Sequence, residues 1–168
     1  MRYAQFVRKL ELPAGFTVPA RLTHEHLVAS PLGRECLHDD VQGINASLAL
    51  IQRTRGGGWP TEPVTEEYDF VDLVWHELEF RDAFSYSYVV HDTGGRYVGC
   101  CYLYPMGRRT ELTEELLAYD VDASWWVTSE AYERGEYVTL YAALRHWLAA
   151  EFSFWRPYYS NQEIPELS

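Results

Sequence analysis

Apolar positions recur along this chain with two periods, and the change from one to the other marks its elements. Between Tyr119 and Thr128 they alternate. Tyr119, Val121, Ala123, Trp125 and Val127 fall on one side, and Asp120, Asp122, Ser124 and Trp126 on the other. Such alternation predicts a strand with one apolar face. From Tyr137 the period lengthens, with Leu140, Tyr141, Leu144 and Leu148 at helical spacing, so a helix is predicted to about Ala150. Ser129 to Glu136 lies between them as a turn holding Gly135. A strand that runs through a short loop into a helix start is an anion-binding arrangement. The first-turn amides lack intrahelical acceptors, and the helix dipole is positive there.

Upstream, Leu37, Val41, Ile44, Leu48 and Ile51 predict one helix over Glu35 to Arg53. Gly43 inside it costs about 1 kcal/mol relative to alanine and marks a bend or close packing. Thr54 to Pro63 is a break, with Gly56, Gly57 and Gly58 in a loop that lacks the Lys-Ser/Thr ending of a phosphate-binding P-loop. Trp59 is its anchor or lid residue. Thr65 reads as an N-cap followed by Glu66 and Glu67, and Val71, Val74, Trp75 and Leu78 form a stripe to about Asp82. On that helix His76, Glu77 and Glu79 read as a solvated face, with an acceptor pocket as the alternative.

Phe84 to His91 and Arg96 to Tyr104 are strands joined by the hairpin signal Asp92-Thr93-Gly94-Gly95. Gly99 signals a bulge or a close backbone approach. Met106 to Leu116 is a polar loop, its Arg108 and Arg109 either solvated or reaching for a phosphate. Tyr3 to Leu12 and Phe16 to Leu22 are candidate edge strands, the second weakened by Pro19, and Glu151 to Tyr159 reads as a last short strand.

Composition narrows the classes. The 168 residues suit one domain. With 47% hydrophobic and 15% aromatic residues, the chain is globular and has rings to spare for packing or a pocket. A net charge of −11 argues against nucleic acid or an anionic membrane surface as partner. No stretch approaches the roughly 20 apolar residues of a membrane span, and the N-terminus lacks an apolar signal core. Cys36, Cys100 and Cys101 are no disulfide framework, so a reducing cytoplasm and core thiols are expected. His24 and His26 have metal-ligand spacing but no third ligand at a usual distance, so no metal site is expected and a metal hydrolase is a weak reading.

The Tyr119–Ala150 stretch, with the hairpin YVVHDTGGRYVGCCYLYP before it, resembles the core of the GCN5-related N-acetyltransferases. The likeness covers Phe84 to Tyr159 well and Glu35 to Asp82 loosely, and WLAAEF-x-F followed by a strand and Pro is similar to one bacterial branch whose glycine motif is also degenerate. It implies an α/β fold: a mixed, mostly antiparallel sheet whose central and last strands splay apart, with a shortened C-terminal part. It also implies acetyl-CoA as cofactor, its pantetheine arm paired with the central strand. Val127 and Thr128 and the loop residues Arg134, Gly135, Glu136, Tyr137 and Val138 would hold it. The family loop reads Gln/Arg-x-x-Gly-x-Gly/Ala. Aligned from Tyr132, it keeps Gly135, puts Tyr132 in place of Gln/Arg and puts Tyr137 in place of the last small residue. Glu130, Glu133 and Glu136 oppose a pyrophosphate there.

By the same resemblance the general base is Asp120 or Asp122, unless both are merely solvent-facing strand positions. The acid would be a tyrosine, with Tyr158 or Tyr159 nearest because the family's next helix has no counterpart. The expected function is acetyl-CoA-dependent transfer to an unknown small amine. The alternative is a catalytically inactive domain of that fold that binds a ligand or another protein. An uncovered sheet edge leaves room for a homodimer.

Overall fold

Six strands form one sheet in chain order in the computed structural model, which describes residues 8–168. The hairpin β1 (Leu22–His24) and β2 (Leu27–Pro31) is followed by three helices, α1 (Leu37–Asn45), α2 (Leu48–Thr54) and α3 (Glu66–Arg81). Then come β3 (Tyr86–Asp92), β4 (Tyr97–Tyr104) and β5 (Val121–Val127). The chain continues with α4 (Ser129–Glu133), α5 (Glu136–Ala150) and β6 (Pro157–Tyr159). Neighbouring strands are antiparallel from β1 to β5, and β5 and β6 are parallel. The α/β architecture with a mixed, mostly antiparallel sheet is the one expected. The piece Tyr3 to Leu12 lies partly outside the described residues, and its described part forms no strand; of the second piece only Leu22 enters β1.

The sheet carries an apolar core on each face. Val121, Ala123, Trp125 and Val127 pack with Leu140, Leu144 and Trp147 of α5, whereas Trp126 faces Ile44, Ile51 and Leu73 of α1 to α3. Cys101 joins the first core and Cys100 the second, both buried, as alternation along β4 requires. The hairpin turn is held by the Asp92 carboxylate, which accepts from the amides of Gly94 and Arg96 at 2.9 Å each. Gly99 sits beside a register shift between Val90 and His91, and a Cβ there would collide with the Trp126 carbonyl. Its glycine is the close-approach residue expected.

Three elements depart from the expectation. The predicted Glu35–Arg53 helix is a 3-10 turn and two α-helices, broken at Ala46 and Ser47. The Ser47 hydroxyl accepts from the Ser129 amide at 3.0 Å, so a distant segment fixes the break. Gly43 lies inside α1, where a Cβ would meet the Tyr97 ring at 2.8 Å. Helix α3 starts at its Thr65 cap, whose hydroxyl accepts from the Tyr68 amide at 3.1 Å. Its face is rotated from the stripe read in the sequence: Asp69, Leu73 and His76 are buried, while Val71 and Trp75 are exposed. Finally, the Ser129–Glu136 turn contains a helix, α4. Thr128 caps it by accepting from the Ala131 amide at 3.1 Å. No helix of the described residues is long and apolar enough to cross a membrane.

Candidate functional site

The parallel pair β5–β6 runs in register from Val121↔Pro157 to Ala123↔Tyr159 and then opens. Ser160 still donates its amide to the Ala123 carbonyl at 3.0 Å. Two residues further along β5, no strand backbone reaches Trp125 on the β6 side. The Asn161 side chain does: its oxygen accepts from the Trp125 amide at 3.1 Å, and its nitrogen donates to the Trp125 carbonyl at 2.9 Å. That nitrogen also donates to the Tyr137 hydroxyl at 2.9 Å. The hydroxyl in turn donates to the Glu163 carbonyl at 2.5 Å. The amides of Gln162 and Glu163 bond to the carbonyls of Arg55 and Thr54 at 3.3 and 2.9 Å. The segment after β6 is thus tied across the gap, between the end of α2 and the start of α5.

The residues expected to hold a cofactor lie around this gap but have other partners. Val127 ends β5 opposite Gly99, and the Thr128 hydroxyl is spent on α4. Gly135 is the N-cap of α5 at φ 85, a left-handed conformation that suits glycine. Glu136 is turned to His26, with an oxygen 2.7 Å from its Nε2. Tyr137 is buried beneath the tail, and Arg134 and Val138 are exposed.

At the gap the edge of β5 accepts an amide in both hydrogen-bonding directions, which is what a pantetheine arm offers. The groove at the start of α5 suits phosphate poorly. It measures about 380 Å³, and its lining includes Glu163 and Glu166 but no basic residue. The amide-bearing half of acetyl-CoA fits these residues once Asn161 is displaced, and the phosphate half does not.

The residues expected to be catalytic each have hydrogen-bond or packing partners. Asp120 accepts the amides of Trp155 and Arg156 at 2.6 and 2.9 Å, anchoring the approach to β6. Asp122 is buried and accepts hydroxyl bonds from Thr110 at 3.1 Å and from Ser160. Burial raises its pKa, and those bonds and Arg109 oppose the rise. Tyr158 packs on Tyr119 with ring centroids 5.2 Å apart. Tyr159 packs on Tyr141 on the α5 side, and burial pushes its hydroxyl up to about 12.

The other face of β5 holds a cleft of about 250 Å³ that brings Trp59, His76 and Arg109, three residues singled out in the sequence, together with Arg55, Asp72, Tyr102 and Tyr104, which were not. Arg55 is 5% exposed. Its guanidinium lies 4.4 Å from the Tyr102 ring centroid and 5.6 Å from that of Trp59. It donates from Nε and Nη2 to the Ser124 hydroxyl at 3.2 Å. Ser124 neighbours Trp125, so the cleft and the gap share one stretch of β5. Arg109 is not a solvated loop tip: it bonds the carbonyls of Arg55 and Gly56 at 2.5 and 3.3 Å and the Ser160 hydroxyl at 3.1 Å. Burial and the nearby Arg55 push its pKa down to about 10.

His76 is likewise buried rather than on a solvated face, with Nδ1 3.0 Å from the Ser87 hydroxyl and Nε2 3.3 Å from Asp72. Arg108 pairs with Glu79 instead of reaching a phosphate. A signal for Arg55 existed: it follows the buried Ile51 by four residues, at helical spacing. His76 follows Leu73 at helical spacing too. The imidazoles of His24 and His26 pack on His146 and bond Glu136, and no metal-binding cluster occurs among the described residues.

No protein-family model matches the sequence, and no curated protein matches it. Among solved structures, the RimL ribosomal L7/L12 α-N-protein acetyltransferase in complex with coenzyme A superposes with a TM-score of 0.56 at 13% identity, covering 77% of this chain and 66% of that one. The ribosomal-protein-S5-alanine acetyltransferase from Vibrio fischeri gives 0.56 at 10% identity, covering 79% and 69%. The acetyl transferase from Salmonella typhimurium that modifies the N-terminal serine of L7/L12 gives 0.56 at 10%, covering 80% and 68%. This chain therefore spans about two thirds of the length of these structures, and at such identities the likeness is one of fold. That likeness, the six-stranded sheet and the opening between β5 and β6 identify the fold of the chain as that of the GCN5-related N-acetyltransferases.

Proposed function

We propose that the protein is an acetyl-CoA-dependent N-acetyltransferase for a small amine, with a cofactor channel closed by its own C-terminal segment. One observation carries this reading. β5 and β6 separate at Trp125, and a side-chain amide, not a backbone, fills both hydrogen-bonding positions there. By family resemblance, pantetheine pairs with this strand. It would replace the Asn161 amide in kind, so the exchange leaves no buried backbone group unpaired. The amine would enter from the opposite cleft, whose wall adjoins Trp125 at Ser124. In that cleft Asp72, partly exposed and paired with His76, would take the proton from an ammonium, whereas Asp120 and Asp122 are engaged by the groups that hold them.

A second reading rests on Tyr137. Its hydroxyl ties the tail down, and its bulk and the acidic groove oppose a pyrophosphate. These features favour a non-catalytic ligand-binding domain on the same fold. Calorimetric titration of the wild type and of Asn161→Ala with acetyl-CoA separates the two. The enzyme reading expects micromolar binding that tightens in the variant. Absence of heat and an unchanged melting temperature in both folded proteins would establish the second.

A further inference from the structure

The cleft over β5 has its charges arranged in a way that the proposed function does not explain. The chain is strongly acidic, yet two arginines meet here and neither forms an ion pair among the described residues. Arg55 is more than nine-tenths buried. A guanidinium cannot shed its proton in a protein, so burying one without a carboxylate is costly unless a ligand supplies the anion. Asp122, buried nearby, feels the charge of both arginines, but its oxygens bond the hydroxyls of Thr110 and Ser160 and neither guanidinium.

The fork of Arg55 is held edgewise by Ser124 and flanked by ring faces, which fixes its plane. A fixed, planar fork recognises a carboxylate by two parallel bonds. Arg109 is bound to the same segment, and Gly57 makes room for it: a Cβ there would stand 2.6 Å from its Nη1. The cleft also presents one carboxylate, Asp72, which is partly exposed and paired with His76. Its size, about 250 Å³, suits a ligand of a dozen or so heavy atoms.

We propose that this cleft binds a small zwitterion of amino-acid type, with its carboxylate on Arg55 and Arg109, its ammonium at Asp72 and its side chain along Trp59 and Tyr104. The assignment deepens the function proposed above by naming the acceptor class, and its ammonium half rests on that reading. The carboxylate half does not, because it follows from two clustered arginines, neither of which has an ion-pair partner among the described residues.

The test uses the full chain without acetyl-CoA, so its outcome is independent of cofactor binding. Calorimetry is run with L-phenylalanine and L-leucine, with 3-phenylpropionate, which lacks the amine, and with phenethylamine, which lacks the carboxylate. The amino acids are expected to bind, 3-phenylpropionate more weakly, and phenethylamine at least tenfold more weakly than phenylalanine. Arg55→Lys keeps the charge but loses the fork, and weakens every carboxylate probe at least tenfold. Asp72→Asn, on a partly exposed side chain, weakens phenylalanine and leaves 3-phenylpropionate unchanged. Phenethylamine binding as tightly as phenylalanine would overturn the proposal, as would a folded wild type that binds none of the four at millimolar concentration. If carboxylates bind while acetyl-CoA does not, the cleft stands and the transferase reading falls.

Discussion

Asn161 satisfies both backbone groups of Trp125, accepting from its amide and donating to its carbonyl. The two residues belong to segments that no strand pairing joins at that point. A single side chain therefore stands in for a missing stretch of sheet.

Removing that side chain leaves a buried amide and a buried carbonyl without protein partners. Asn161→Ala is expected to cost about 1–3 kcal/mol for the unsatisfied groups. The change appears as a lowered urea midpoint with the slope preserved. A cost within experimental error would mean that water fills the position as well as the amide does.

Gly99 offers a sharper contrast. A methyl group there meets the backbone of Trp126, which cannot move without unpairing β4 from β5. Gly99→Ala should cost about 3 kcal/mol or more, at the upper end of overpacking. Gly58→Ala adds its methyl group to open space and should stay within about 0.5 kcal/mol. Equal stability of the two variants in chemical denaturation would contradict the close approach.

These positions also show what the sequence made legible. The Asp-Thr-Gly-Gly turn and the Thr65 cap act through neighbours close in sequence, so their meaning could be read locally, whereas Gly99 could be read as a close approach but not as one to Trp126. The helix break at Ser47 could not, because its partner, Ser129, is far along the chain. Helix α3 misled for a related reason. Its buried row is Asp69, Leu73 and His76, two of them polar, so the apolar stripe pointed to the wrong face. Arg55 was legible as a helical position but not as a buried cation, since hydrophobic periodicity says nothing about which charges a cleft will hold. Asn161 carried no signal at all.

The buried pair Asp40 and Asp69 makes stability depend on pH. Both are buried at the α1–α3 interface, where Asp40 accepts from the Tyr97 hydroxyl at 3.0 Å. Neither Asp69 oxygen has a partner unless a proton is shared between the two acids. Burial raises the pKa of both. The folded state thus keeps a proton that the unfolded chain releases above the ordinary carboxylate range. Stability from this pair is present below that range and is lost as pH rises from it towards the alkaline side. Asp69→Asn should remove this slope, so urea midpoints at pH 5.5 and 8.5 differ less in the variant than in the wild type. Parallel profiles would show that the pair shares no proton.

The thiols should separate by burial. Cys100 and Cys101 are fully buried, and burial pushes Cys101 up to about 12, so neither reacts with Ellman's reagent in the native state. Cys36 is partly exposed, but burial raises its pKa too, so it reacts slowly. Titration should find one slow thiol in the native protein and three in denaturant. A second native thiol would place one core cysteine near the surface.

The strand order has a consequence for the timing of folding. β3, β4 and β5 follow one another and pair with their sequence neighbours, beginning with a tight turn at Asp92. β2 meets β3 only after the excursion through α1, α2 and α3, and β6 meets β5 only after α5. Longer loops cost more entropy to close and are closed later. The three-stranded meander is therefore the expected nucleus, with the outer strands added afterwards. In pulse-labelled hydrogen exchange, the amides of β4 should gain protection before those of β2, and the reverse order would place the nucleus elsewhere.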